Sequence, residues 1–117
     1  PEGFLKYNTP DTTRTGRLTG DTLRLAECME TCAGFELTVT GGSEKTGHSD
    51  DSKHYTGQAC DFSEKRNPAM DPDTTKNCWE KCAQENYFGK KEGGAHPHWH
   101  FQIAPGKNGA TGLRTGD

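Results

Sequence analysis

The chain has 117 residues and a formal net charge of -3; that is enough for one domain, and a pI near 5.9 offers no basic field for nucleic acid. Leu, Ile, Val and Phe number only thirteen, below the ~20% at which chains struggle to bury a core, and mean hydropathy is -1.02. The small net charge argues against disorder, so a thin core reinforced by disulfides or a metal is expected, and no apolar run approaches the ~18 residues of a membrane span.

In chain order, residues 1–20 are polar and broken by Pro10, Gly16 and Gly20. Phe4, Leu5 and Tyr7 predict a short docking strand, and the remainder of this segment reads as a loose loop. The opening Pro1-Glu2-Gly3 carries no initiator Met and no signal segment, which reads as a mature or trimmed form. From Asp21, a good N-cap, the residues Leu25, Cys28, Met29 and Cys32 fall at helical spacing. Gly34 is placed to stop that helix. Phe35 to Thr40 alternates apolar and polar and predicts the clearest strand, closed by Gly41-Gly42. Residues 41–53 form a polar loop. Ala59 to Phe62 predicts a second strand, with Gly57 as a turn or close approach before it. Residues 64–73 are a loop with Pro68 and Pro72. A second helix is expected from a cap at Thr74 or Thr75, with Cys78, Trp79, Cys82 and Ala83 on one face, ending near Gly89. Residues 90–95 read as a flexible loop, His96 to Ile103 as a strand, and residues 104–117 as a loose polar tail. The whole predicts one α+β domain over 1–117, with two helices on one face of a small antiparallel sheet and a cleft on the other.

Five cysteines fit the need for reinforcement. Cys28 and Cys32, like Cys78 and Cys82, are four apart on predicted helices and so share a face. Antiparallel helices would pair Cys28 with Cys82 and Cys32 with Cys78. A structural zinc held by the four cysteines is the rival arrangement, since its ligand spacings overlap these. Cys60 is left over, on the face of its strand opposite Asp61, and reads as a buried inert thiol.

Two stretches carry chemistry. The first is Ser52-Lys53-His54-Tyr55-Thr56-Gly57-Gln58-Ala59-Cys60-Asp61. The second is His96-Pro97-His98-Trp99-His100-Phe101-Gln102-Ile103. Alternation along a strand puts His98, His100 and Gln102 on one face and Trp99, Phe101 and Ile103 on the other. Asp61 is likewise opposite Phe62. Two histidines and a carboxylate facing a cleft make a three-ligand set with an open position, the chemistry of a catalytic zinc site, although other divalent metals accept the same donors. His54 and Asp61 belong to this set with either His98 or His100, which parity cannot separate.

The pattern Ser52-x-His54-x-x-Gly57-x-Ala59-x-Asp61, followed by a Trp-His strand, resembles the zinc D-alanyl-D-alanine carboxypeptidases and related peptidoglycan endopeptidases. The run from Gly47-His48 to Asp61 equally resembles the hedgehog signalling domain, which shares their fold. These motifs cover about a quarter of the chain. The resemblance implies one zinc on His54, Asp61 and His100, because the ligand follows Trp in that pattern. It also implies a secreted or periplasmic monomer that cleaves peptide bonds in peptidoglycan stem peptides or cross-links. The extracytoplasmic setting favours disulfides over the four-cysteine zinc. The family's catalytic Glu is missing: Pro97 and Gly94 stand where relatives carry it. His98 is therefore expected to shuttle protons, with Glu92 and His48 as helpers. Lys45 stands near the position of a substrate-binding Arg. The alternative is a non-catalytic, hedgehog-like zinc-containing binding module. Hedgehog domains also bind calcium, for which Asp50, Asp51, Asp71 and Asp73 are the candidates, without the spacing of that cluster.

Overall fold

The computed structural model describes residues 5–7, 18–41 and 57–116. Within them lie β1 (Lys6–Tyr7), α1 (Gly20–Ala33), β2 (Thr38–Val39), β3 (Ala59–Ser63), α2 (Pro72–Cys82), β4 (Phe88–Glu92), β5 (His98–Gln102) and β6 (Gly112–Arg114). The result is an α+β fold with a mixed four-stranded sheet in the order β3-β5-β4-β6 and a two-stranded parallel pair, β1-β2. The expected antiparallel sheet is thus corrected. β5 is antiparallel to both neighbours, but β6 runs parallel to β4. The two sheets are tied at Gly41 and Asp61, whose backbones exchange hydrogen bonds of 2.7 Å and 3.3 Å.

The first helix follows its sequence signals closely. Thr19 takes the N-cap position in place of Asp21, which falls in the first turn, and Gly34 closes the helix with φ of 80°, a left-handed conformation that costs a glycine little. Leu25, Ala26 and Met29 are buried. The second helix starts earlier than expected. Asp71, not Thr74 or Thr75, is its cap, and the Asp71 carboxylate accepts from the Thr74 N–H at 2.7 Å. Pro72 stands at the first helical position, where its missing N–H costs nothing. The helix ends at Cys82 and not near Gly89. Residues 88–92 instead form β4, so the expected loop at 90–95 begins only after Glu92.

Two disulfides, Cys28–Cys82 and Cys32–Cys78, join the helices, and Cys60 is free and buried. The pairing is the one expected for antiparallel helices, and it removes the four-cysteine zinc alternative. The helices cover the sheet face made by Cys60, Phe62, Phe101 and Trp99. Trp79 of α2 stands 5.2 Å from Phe101 between ring centroids. That approach needs Gly89, since a Cβ there would come within 3.1 Å of Trp79 and 2.9 Å of Phe101. Leu37 and Val39 are buried while Phe35 is exposed, and the strand expected over 35–40 shrinks to two residues because only Thr38 and Val39 pair with β1. The expected docking strand at the N-terminus forms at Lys6–Tyr7 beside β2.

The segment after β5 is not the loose tail expected of 104–117. Residues 107–109 form a 3-10 turn and Gly112–Arg114 form β6. Gly106 lies against the Phe88 ring so closely that a Cβ would meet it at 2.8 Å.

Candidate functional site

Register builds the site. Asp61 of β3 is opposite His100 of β5, and His98 of β5 is opposite Glu92 of β4. Paired residues project to the same face, so one sheet face presents Asp61, His98, His100 and Glu92 together. Trp99 and Phe101 occupy the other face, fully buried, and the Trp99 indole donates to the Met70 carbonyl at 2.8 Å. The anchored aromatic rings fix the strand from below and set the imidazoles above it.

Asp61 Oδ1 lies 3.0 Å from His100 Nδ1. Two ligand atoms on one tetrahedral zinc, each about 2.0 Å from the metal, are about 3.3 Å apart. The pair therefore fits one edge of such a site, and a carboxylate oxygen with an imidazole nitrogen is a matching donor set. Among the described residues no group of three or more His, Cys, Asp and Glu side chains makes a metal site. The expected third ligand, His54, lies outside the described residues, as do His48, Lys45, Asp50 and Asp51. Gly57, the first described residue after that stretch, is held from α1, where the buried Thr22 hydroxyl donates to its carbonyl at 2.7 Å.

The second pair is His98 and Glu92. His98 Nδ1 lies 2.9 Å from the His96 carbonyl, which can only accept, so Nδ1 carries a proton. His98 Nε2 is 2.9 Å from Glu92 Oε1 and 3.9 Å from Asp61 Oδ2. The short contact needs one proton between imidazole and carboxylate. Lys90 Nζ holds the other Glu92 oxygen at 2.9 Å. Partial burial works to raise the Glu92 pKa, but the hydrogen bond and charge of Lys90, joined by His98 and His100, hold it below an ordinary Glu. Burial likewise opposes the charged form of His100. The hydrogen bond and charge of Asp61, with Gln102 and Glu92 behind them, outweigh it and raise His100 above an ordinary imidazole.

Beneath the site, burial first and the Asp61 charge second push the Cys60 thiol up, which leaves it inert at neutral pH. Asp71 and Asp73, two of the calcium candidates, sit at the cap and first turn of α2.

Three contributors escaped sequence reasoning. Gly41 lies so close to Asp61 that a Cβ would stand 2.9 Å from Oδ2. The Gly41-Gly42 pair was legible only as a strand end. Asn67 braces the region by accepting from Thr38 N–H at 2.7 Å and donating to the Thr38 and Ser63 carbonyls at 3.0 Å and 2.8 Å, and nothing local in the sequence signals it. Gln102 accepts at 2.7 Å from His100 Nε2. Its parity with the histidines placed it on the site face without showing this bond.

No family model matches the chain, and neither a curated protein nor a solved structure is similar enough to count as a match. The two disulfides fit an oxidising, extracytoplasmic compartment. Among the described residues no helix is long and apolar enough to cross a membrane.

Proposed function

We propose that the protein is a zinc-dependent peptidase that cleaves peptide bonds in peptidoglycan stem peptides or cross-links, with His54, Asp61 and His100 as metal ligands. The observation that carries this reading is the His98–Glu92 pair, 2.9 Å apart, beside the Asp61–His100 edge. Zinc held by these ligands supplies a water of pKa about 7 and polarises a bound carbonyl.

The chain's own residues supply proton handling and position. His98 is oriented by its Nδ1–H bond to the His96 carbonyl, so Nε2 points across to Glu92. That pair holds one proton between Nε2 and Oε1. The Glu92 carboxylate, held in its ionised form, takes a proton from the attacking water, and the pair returns one to the departing amine, the work of a general base and then a general acid. Glu92 thereby fills from β4 the role whose usual positions are occupied by Gly94 and Pro97. The peptidoglycan substrate rests on the motif resemblance.

The second reading is a non-catalytic, hedgehog-like zinc-containing binding module. It is favoured by Lys90, whose ion pair with Glu92 weakens that carboxylate as a proton acceptor. Digestion of purified peptidoglycan, read by mass spectrometry, separates the two. The zinc-loaded wild type should release stem-peptide fragments. His98→Ala and Glu92→Gln should keep zinc and lose at least ~100-fold in rate. His54→Ala should lose the zinc itself by elemental analysis. A wild type that binds zinc yet releases nothing at any loading supports the binding module and overturns the peptidase.

A further inference from the structure

Gln102 is the third side chain of the His98–His100 face and is 7% exposed. A glutamine amide has an accepting oxygen and a donating nitrogen, and only its surroundings say which points where. Here they are decisive. Gln102 Nε2 lies 2.9 Å from the Ala104 carbonyl and 3.0 Å from the Pro105 carbonyl. Both carbonyls only accept, so the NH2 group must face them. Rotating the amide would set its oxygen against two carbonyl oxygens and leave the NH2 facing the ring. The amide oxygen is thereby fixed towards His100, 2.7 Å from Nε2. It can only accept, so His100 Nε2 must carry a proton and donate.

The consequence falls on the opposite ring nitrogen. With Nε2 committed to Gln102, Nδ1, which in the metal-free protein donates to Asp61 Oδ1 at 3.0 Å, is the nitrogen that gives up its proton to bind a cation beside that oxygen. A metal-ligating histidine is oriented in this way by whatever accepts from its other nitrogen. We infer that Gln102 is a positioning residue: clamped by the Ala104 and Pro105 carbonyls, it fixes the ring orientation of His100 and dedicates Nδ1 to a divalent cation. The clamp also connects the site to the segment beyond β5. That segment closes on itself through the Gly106 N–H donating to the Ala110 carbonyl at 2.7 Å and packs Gly106 on Phe88.

The cation half of this inference rests on the proposed metal reading; the ring orientation does not. The test uses Gln102→Met, which keeps length and volume and removes the amide. In the metal-free protein, nitrogen-15 spectra of the imidazoles should show a protonated, hydrogen-bonded Nε2 on His100, and Gln102→Met should lose that signal. A wild-type ring lacking the Nε2 proton, or a signal unchanged in Gln102→Met, overturns the inference. The wild-type spectrum decides this even if the variant fails to fold. In parallel, zinc affinity by chelator competition should fall roughly ten- to hundredfold in Gln102→Met, and the loaded wild type should coordinate through Nδ1. Coordination through Nε2, or unchanged affinity, overturns the dedication of Nδ1. If the Nε2 signal behaves as expected but the wild type binds no zinc, cobalt or manganese, the ring orientation stands and the metal reading falls.

Discussion

At the scale of single residues, the site depends on a close approach that only glycine permits. Gly41 exchanges backbone hydrogen bonds with Asp61, and a Cβ there would lie 2.9 Å from Oδ2, 3.0 Å from Cβ and 3.2 Å from Cγ of Asp61. Asp61 cannot retreat with its strand, because β3 is paired along its length with β5. Gly41→Ala should therefore rotate the carboxylate away from His100 while the core below stays packed. Zinc affinity is expected to fall roughly ten- to hundredfold, the scale for disturbing a ligand's supports, with circular dichroism little changed. Affinity equal to wild type would show that the loop yields instead. The sequence exposed the faces of the site better than its supports. Asp61, His98 and His100 announce their direction through alternation with Phe62, Trp99 and Phe101, which burial enforces. Glu92 gave no such signal, because its place opposite His98 depends on the pairing of β4 with β5, and register between distant strands is not written locally.

At the scale of elements, the same distinction holds between local and distant causes. The first helix was legible from its apolar spacing and Gly34. The second was legible in its cysteine face but not at its ends. Its stop after Cys82 is made by the extended backbone of Ala83 and a turn in which Tyr87 N–H donates to the Gln84 carbonyl at 3.1 Å, where no Gly or Pro marks it. β6 was illegible because Gly112–Arg114 is short and opens on a glycine, and becomes a strand only by pairing in parallel with β4. The cap of α2 yields a pH prediction. The backbone and side-chain hydrogen bonds of Thr74 hold the Asp71 carboxyl below its ordinary value, against a small opposing effect of burial. A carboxyl depressed on folding contributes stability above its unfolded pKa of about 3.9 and loses it as pH falls through the lower folded value. Asp71→Ala should therefore lower the melting temperature at neutral pH, and the gap from wild type should narrow below about pH 3.9. A constant gap down to strong acid would assign the effect to something other than the ionised cap.

At the scale of the whole molecule, the sparse apolar count understates the core. Trp79, Trp99, Tyr87, Met29, Met70 and Cys60 fill much of the buried volume, and the two disulfides add what a small core lacks. They also set a specific pattern of stability. The Cys32–Cys78 bridge spans 46 residues and Cys28–Cys82 spans 54. Either alone closes a long loop in the unfolded chain, worth about 4 kcal/mol by loop entropy. Once one is present, the other closes only the short ring through residues 28–32 and 78–82, roughly ten residues and about 3 kcal/mol. The bridges are therefore coupled. Replacing both cysteines of one bridge by Ala should cost about 3 kcal/mol, somewhat more for Cys32–Cys78 because Cys78 is 1% exposed and leaves a buried gap. Removing both should cost about 7 kcal/mol, more than twice the cost of the outer bridge. That loss is comparable to the ~5–15 kcal/mol of an entire domain. Urea denaturation of the two single-bridge variants should give cooperative transitions at reduced midpoints, while the variant without bridges should be unfolded or marginal at 25 °C before denaturant is added. Equal, additive losses would mean that the bridges act by strain or local packing and not by closing the chain. A bridge-free variant as stable as wild type would mean that the aromatic core holds the fold unaided.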